Sequence, residues 1–126
     1  YEVLEKMCDY VSSLLNLLEL PYRIVKLCGG DLGFTSAMTY DFEVYAAGQQ
    51  KWLEVSSVSN FETFQSNRLK LRIKDKKGKI FLAHTLNGSA LALPRIVAAL
   101  LENNQTHEGI IIPKALAKYT GFNMIC

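Results

Sequence analysis

The first apolar repeat of the chain has the period of a helix. Over residues 2–19, apolar side chains recur at three- and four-residue spacing, which predicts an amphipathic helix. The repeated positions are Leu4, Met7, Cys8, Val11, Leu14, Leu15 and Leu18. Pro21 ends this pattern because proline lacks the backbone N–H that a helix interior needs. We expect this helix to cover one face of a sheet.

The next residues change to the pattern of strands and turns. Residues 22–28 predict a strand, and the glycine-rich run Gly29–Gly33 predicts a tight turn. This turn lacks the spacing of dinucleotide-binding and phosphate-binding loops, which favours a plain turn. The arms Thr39–Tyr45 and Lys51–Ser57 then predict a hairpin with its turn at Gly48-Gln49.

The hairpin register brings two glutamates together. It sets Tyr45 opposite Trp52, Glu43 opposite Glu54, and Asp41 opposite Ser56. The aromatic pair supports this register, whereas two opposed carboxylates repel each other. That repulsion is tolerable if a cation or an amine lies between the carboxylates, or if one is protonated. The alternative is a solvated face on which both carboxylates point into water.

A strip of alternating basic residues follows. Arg68, Lys70, Arg72 and Lys74 alternate with Leu69, Leu71 and Ile73, which predicts a half-buried strand with a basic outer face. Such a strip can bind an RNA backbone. We favour a solvated edge strand whose charges discourage pairing between sheets. Residues 75–79 predict a turn, and Ile80–Leu86 predicts the returning strand.

The stretch His84–Gln105 predicts a strand, a small-residue turn and a helix. Gly88, Ser89 and Ala90 keep side-chain bulk low, which would let a ligand approach the backbone. Pro94 suits the first position of a helix, and the run from Ile96 to Gln105 is apolar nearly all round, which predicts burial. Arg95 in the first turn adds its charge to the positive helix end, where it could hold a phosphate. Beyond it we expect a loop at 106–109, a short apolar run at 110–113 and one or two helical turns at 114–119.

Composition limits the class of protein. The chain has 126 residues, 49% hydrophobic and 21% charged, which predicts one domain with a packed core. A formal net charge of +2 is too small to imply binding to nucleic acid or membranes. No apolar run approaches the roughly 20 residues of a membrane span. Three widely spaced cysteines favour a reducing compartment, here the cytoplasm, over a disulfide framework, and none has zinc-ligand spacing.

Three segments together carry a family resemblance. LCGGDLGF at 27–34, EVSSVSNF at 54–61 and HTLNGSALALPR at 84–95 stand in the order found in seryl-tRNA synthetases. The last segment closely resembles the third signature motif of class II aminoacyl-tRNA synthetases. The similarity runs from about Tyr22 to the C-terminus. Val58 stands where many relatives have cysteine, which should affect packing rather than chemistry.

The resemblance implies a role for specific residues. It places Glu54, Val55, Ser56 and Ser57 in the segment that binds ATP, with Glu54 and Ser57 helping to hold Mg²⁺ on the phosphates. It makes Arg95 the catalytic residue, in contact with the γ-phosphate. It places Asn87 and Ser89 at the serine pocket, where Ser89 would meet the substrate hydroxyl. Strict alternation puts Glu54 and Ser57 on opposite faces of a strand. Both can therefore bind one ion only if the strand bulges or ends there.

The resemblance also implies a reaction and partners. Seryl-tRNA synthetases use ATP to activate L-serine as seryl-adenylate and transfer it to tRNA(Ser), and the full-length enzymes are homodimers. The second signature motif, the dimer motif and the tRNA-gripping coiled coil have no counterpart in residues 1–126. We therefore expect the chain to be the C-terminal part of a catalytic domain, truncated on its N-terminal side and inactive alone. The parts of the full-length enzyme outside residues 1–126 would make most of the tRNA contacts. We expect no contact with a membrane.

Two other functions stay open from the sequence. The chain could belong to a synthetase-like binding or regulatory protein without aminoacylation activity, or be a small RNA-binding domain that uses the basic strip. A threonyl or prolyl enzyme fits less well, because the zinc ligands expected for threonine selection are not evident. The predicted fold is α+β: an antiparallel sheet of about five strands, with helices 2–19 and 95–105 on one face. The other face would carry Glu43 and Glu54, with Arg95 at its rim.

Overall fold

A four-stranded antiparallel sheet lies at the centre of the computed structural model, which describes residues 1–126. Its strand order is β1-β2-β3-β6. The helices are α1 (Glu2–Leu17), α2 (Phe64–Arg68), α3 (Leu93–Asn103) and α4 (Lys114–Thr120). The strands are β1 (Tyr22–Lys26), β2 (Met38–Ala46), β3 (Lys51–Glu62), β4 (Arg72–Lys74), β5 (Ile80–Leu82), β6 (Thr85–Gly88), β7 (Ile110–Ile111) and β8 (Met124–Ile125). The α+β class is therefore confirmed.

The hydrophobic core lies between this sheet and two helices. Helix α3 packs against the two central strands β2 and β3, and α1 packs against β3. From α1 the core receives Leu4, Cys8, Val11 and Leu15, and from the sheet Phe42, Val44, Val55 and Val58. The four α1 residues belong to the set that the helical pattern predicts, whereas Leu14 of the same set is exposed. Burying them on one face leaves the opposite face of the sheet for polar side chains.

The predicted fifth strand is wrong. The segment Ile80–Leu86 is divided, because β5 pairs with β4 in a separate two-stranded hairpin while β6 joins the central sheet. The basic strip is also not a half-buried strand: its beginning lies in α2, and Lys70 has a φ of 56° that breaks an extended chain. The three residues of β4 are exposed on both faces.

The helix after the small-residue turn is buried on one side only. It begins at Leu93, so Pro94 occupies its second position rather than its first. Ile96 and Ala99 are buried, but Val97 is 52% exposed. The prediction of burial all round is wrong, because only one side of α3 meets the sheet. Leu93, Val97 and Leu100 of α3 line an open groove of about 910 Å³ between α1, α3 and α4.

The remaining elements are short. Helix α4 lies where residues 114–119 predict helical turns. The pairing of β7 with β8 on either side of it was not predicted. Helix α4 ends at Gly121, whose φ of 75° is a left-handed conformation that glycine adopts easily. None of the four helices combines the length and apolarity that crossing a membrane would require.

Candidate functional site

One extra residue in β3 sets the geometry of the site. Tyr45 pairs with Trp52 and Glu43 with Glu54, as predicted, but Phe42 then pairs with Ser56. Val55 has no partner in β2 and forms a β-bulge. The predicted pairing of Asp41 with Ser56 is therefore wrong, and Asp41 lies opposite Ser57.

The bulge brings Glu54 and Ser57 to the same face of the sheet. Side chains alternate along a strand, so without the bulge these two residues would lie on opposite faces. Val55 and Ser56 are buried on the core side. Their expected part in binding ATP is then limited to the backbone. We call the face that carries Glu43, Glu54, Ser57, Ser59 and Asn87 the polar face.

Hydrogen bonds fasten the small-residue turn beside the bulge. The Ser56 hydroxyl donates to the carbonyl of Ser89 at 2.5 Å, and the N–H of Ala92 donates to the carbonyl of Val55 at 2.6 Å. The N–H of Ser89 donates to the carbonyl of Ser57, at 3.2 Å. In return the N–H of Ser57 donates to the Ser89 hydroxyl, at 3.3 Å. The two segments that the sequence singles out thus form one local structure.

Arg95 points from the first turn of α3 toward the same place. Its Nη1 donates to the backbone carbonyl of Glu54 at 2.6 Å, and its side chain is exposed. A guanidinium carries five N–H donors, so most of them stay available to an anion. The contact fixes the guanidinium next to Glu54 and close to the start of α3, where the helix end is also positive.

Asn87 lies on the other side of Ser57, toward the far end of β3. It pairs with Ser59 across the β3–β6 ladder. Next to this pair, three hydroxyl groups form a hydrogen-bonded chain. The Ser59 Oγ lies 2.7 Å from Thr39 Oγ1, which lies 2.7 Å from Ser36 Oγ. This chain of hydroxyls links β3 to the turn before β2. It could not be predicted, because Ser59 is 20 residues from Thr39 along the sequence.

The charge of Glu43 is balanced from its other side. Arg23 on β1 pairs with Glu43, and Nε donates to Oε2 at 2.5 Å. The Arg23 guanidinium also lies 4.5 Å from the centre of the Trp52 ring, a cation–π contact. The expected cation is therefore present, although it flanks the pair of glutamates rather than lying between them. The Glu54 carboxylate forms no ion pair.

Asp41 is a polar-face residue that the sequence argument missed. Its Oδ1 is buried and has no hydrogen-bond partner. A buried acceptor without a donor is costly, and it favours a ligand group that can donate. The predicted register puts Asp41 on the face of Glu43 but opposite Ser56, so it does not bring Asp41 next to Ser57.

Gly88 lacks a side chain for a different reason from the predicted approach of a ligand. A Cβ there would lie 2.9 Å from Cε of Met7 in α1 and 3.4 Å from a methyl group of Val58. The missing side chain therefore makes room for α1 on the core side of the sheet, rather than for a ligand on the polar face. The ligand-facing part of the turn is left to Ser89.

The polar face offers scattered oxygen atoms rather than a cage for a metal ion. No three histidine, cysteine, aspartate or glutamate side chains lie close enough to hold an ion by themselves. Glu54 and Ser57 supply one carboxylate and one hydroxyl on a shared face, and Arg95 supplies positive charge beside them. This set suits a phosphate chain that brings its own Mg²⁺, because Mg²⁺ commonly keeps waters and substrate phosphates as ligands.

Comparisons with known proteins show what the chain is similar to. A family model described as tRNA synthetase class II core domain (G, H, P, S and T) matches residues 1–104. Serine–tRNA ligases of Finegoldia magna and Salinibacter ruber are 52% and 54% identical to it. Each alignment covers 99% of this chain and 30% of the relative, so the chain spans less than a third of these curated relatives.

Solved structures show the same likeness. The seryl-tRNA synthetase of Pyrococcus horikoshii complexed with ATP has a TM-score of 0.93 and 44% identity, over 98% of this chain and 28% of that one. The cytoplasmic serine–tRNA ligase of Naegleria fowleri in complex with AMP has a TM-score of 0.90 and 28% identity, over 98% and 30%.

Proposed function

Since the chain belongs to the family of class II tRNA synthetase core domains, we propose that it is the C-terminal part of the catalytic domain of a serine–tRNA ligase. The full-length protein would activate L-serine with ATP and transfer it to tRNA(Ser). The observation that carries this proposal is the bulge at Val55, which puts Glu54 and Ser57 on one face beside Arg95. The identity of about half to bacterial serine–tRNA ligases supports the choice of serine.

The nucleotide would lie along the bulge. Arg95 would bind the γ-phosphate with the donors that its contact to Glu54 leaves free. Glu54 and Ser57 would hold Mg²⁺ on the phosphates through one carboxylate and one hydroxyl, and the ion would supply further neutralisation of phosphate charge. The backbone of Val55 and Ser56 would position these groups, because both side chains are buried.

The amino acid would lie nearer to Asn87. Ser89 keeps its hydroxyl beside the N–H of Ser57, and its own proton stays available to the hydroxyl of a bound serine. Asn87 adds amide donors and an acceptor at the same strand end. A site that hydrogen-bonds a substrate hydroxyl rejects the analogue that lacks it, which would separate serine from alanine.

The reaction then needs charge neutralisation rather than a base. Attack of the serine carboxylate on the α-phosphate depends on in-line placement and on positive charge around the phosphates. Arg95 supplies one such charge. A second arginine, on the α-phosphate and the serine carboxylate, would come from the second signature motif, and a homodimer and most tRNA contacts from other parts of the full-length, cytoplasmic ligase.

Pyrophosphate exchange with a panel of amino acids tests this proposal. With the full-length protein we expect exchange that depends on serine and is at least about a hundredfold weaker with alanine. The 126-residue chain alone should give none, because it lacks the second arginine. Exchange that another amino acid supports better than serine, or a full-length protein that binds ATP without any exchange, would refute the assignment.

A further inference from the structure

The charge of the chain is concentrated in one short segment. Residues 68–79 carry seven of its fourteen lysines and arginines and a single acid, Asp75. The other residues carry seven cations against eleven acids. The formal net charge of +2 therefore conceals a strongly basic segment on an otherwise acidic protein. Low net charge does not exclude binding of nucleic acid to such a segment.

Acidic side chains of the protein do not neutralise these cations, although Arg72 donates hydrogen bonds to the backbone carbonyls of Ser66 and Leu71. None of the seven forms an ion pair. The Asp75 carboxylate does not neutralise them, because it accepts the backbone N–H groups of Lys77 and Lys79 and so shapes the turn. Strand β4 is also not an edge of the central sheet, so its charges do not guard that sheet against pairing, the function that the sequence pattern favours.

Aromatic rings lie at the foot of the hairpin. A cleft of about 470 Å³ is lined by Thr35, Ser36, Ala37, Phe61, Glu62, Thr63, Phe64, Asn67 and Arg68. The Arg68 guanidinium lies 5.8 Å from the centre of the Phe64 ring. The Phe34 ring packs edge-on against Phe64 at 5.9 Å and is 90% exposed. Phe64 therefore lies between an arginine and the exposed Phe34 ring, and an exposed aromatic ring in a basic region can stack on an unpaired base of single-stranded nucleic acid.

The hairpin is joined directly to the candidate site. Strand β5 ends at Leu82 and β6, which carries Asn87, begins at Thr85. An RNA held by the hairpin is therefore held at the strand that bears one wall of the amino-acid pocket. No comparable concentration of cations occurs elsewhere in the sequence.

We propose that the β4–β5 hairpin, with the aromatic cleft at its foot, is a docking surface for RNA: its lysines bind the phosphate backbone and Phe34 stacks on one unpaired base. The unpaired cations of the exposed hairpin would attract the phosphates of any polyanion. An exposed aromatic ring favours RNA over a simple polyanion, because only a nucleic acid has bases that can stack on it. That this RNA is the acceptor end of a tRNA rests on the proposed function; the affinity of the hairpin for RNA does not.

Fluorescence anisotropy with a labelled RNA minihelix that has a single-stranded 3′ end tests the backbone contacts. The hairpin variant combines Lys74→Gln, Lys76→Gln and Lys79→Gln; the control variant combines Lys6→Gln, Lys114→Gln and Lys118→Gln and changes the net charge equally. We expect Kd to rise about tenfold or more in the hairpin variant and less than threefold in the control. The slope of log Kd against log salt should fall by about 2 to 3, because each lost phosphate contact removes about 0.7 to 0.9.

A second pair of variants tests the stacking ring. Phe34→Ala should weaken the binding of single-stranded RNA about fivefold or more and leave a blunt RNA duplex unaffected. Tyr10→Ala on α1, which is also highly exposed, is the matched control and should change neither. Equal weakening by both lysine triples, no binding by the unaltered chain, or hairpin-dependent binding of heparin or anionic vesicles without binding of RNA would overturn the proposal.

The RNA-binding test and the test of the proposed function can give independent results. The binding assay contains neither ATP nor serine, and the exchange assay contains no RNA, so either can fail while the other succeeds. In the full-length ligase the hairpin variant should keep serine-dependent exchange and raise the KM for tRNA at least about fivefold, with kcat for charging little changed. An unchanged KM would contradict the placement of the acceptor end on the hairpin.

Discussion

Val55 determines which side chains of β3 act together. Its position as an extra residue moves Ser57 to the face of Glu54 and brings Asp41 opposite Ser57. The need for a bulge could be predicted from spacing, since alternation separates Glu54 from Ser57. Its location could not be predicted, because any residue of this segment could be left unpaired, and the register of Asp41 was therefore wrong by one.

Cys8 shows how burial alone changes a residue's chemistry. It lies in the core between α1 and the sheet, and this burial raises the pKa of its thiol, with the carboxylates of Glu5 and Asp9 adding to the effect. Burial and a hydrogen bond to Glu5 raise the pKa of Tyr40 nearby. The folded chain therefore holds these protons at a pH at which the unfolded chain releases them.

This difference predicts a loss of stability in alkali. The contribution of the Cys8 proton is complete below the thiol's unfolded pKa of about 8.5 and is lost as the pH rises through the higher folded value. Urea unfolding at pH 7.5, 9 and 10 should show a falling free energy of unfolding. Cys8→Ala should make the fall shallower, and Cys28→Ala, at an exposed thiol, should not. Identical pH profiles for the two variants would disprove this role of Cys8.

Among the elements, the helices show what a periodic pattern can and cannot predict. The pattern of α1 predicts its extent to within two residues and most of its buried face, although Leu14 is exposed. The pattern of α3 is apolar nearly all round and overstates burial. Which side is covered depends on neighbouring elements, and the sequence of the helix does not specify them.

Two leucines of α1 give a matched test of this packing. Leu15 is fully buried, and Leu17, two residues later, is 58% exposed. Leu15→Ala should lower the free energy of unfolding by about 2 to 5 kcal/mol, because it removes buried methyl groups and leaves a cavity. Leu17→Ala should change it by less than about 1 kcal/mol. Urea denaturation of the two variants measures the difference, and equal losses would mean that α1 does not pack as described.

The basic segment shows how alternation can mislead. Charged and apolar residues alternate through residues 68–74, as in a strand, yet α2 extends to Arg68 and Lys70 has a positive φ. Local helix formation and a left-handed residue override the period of two over most of the segment. Only Arg72–Lys74 pairs as a strand, and it pairs outside the central sheet.

At the scale of the whole molecule, the two faces of the central sheet differ in chemistry. One side of the sheet is filled by α1 and α3, whereas the polar face gathers Glu54, Ser57, Ser89 and Arg95. The fold class, the helices and the main hairpin could be predicted from periodicity. The residues of the candidate site could be named only from a family resemblance. The way the turn at Ser89 is fastened to β3 could not, since it depends on contacts between segments that are more than thirty residues apart.

Serine-dependent ATP–pyrophosphate exchange by the full-length protein with Glu54→Gln tests directly whether the nucleotide binds on the polar face. This change keeps the size of the side chain and removes the negative charge with which Glu54 would hold Mg²⁺ on ATP. Glu2→Gln, at an exposed glutamate in the first turn of α1, is the control. We predict that kcat/KM for ATP falls about a hundredfold or more in Glu54→Gln and stays within twofold in Glu2→Gln. Exchange by Glu54→Gln at the rate of the unaltered protein would contradict the placement of the nucleotide on the polar face.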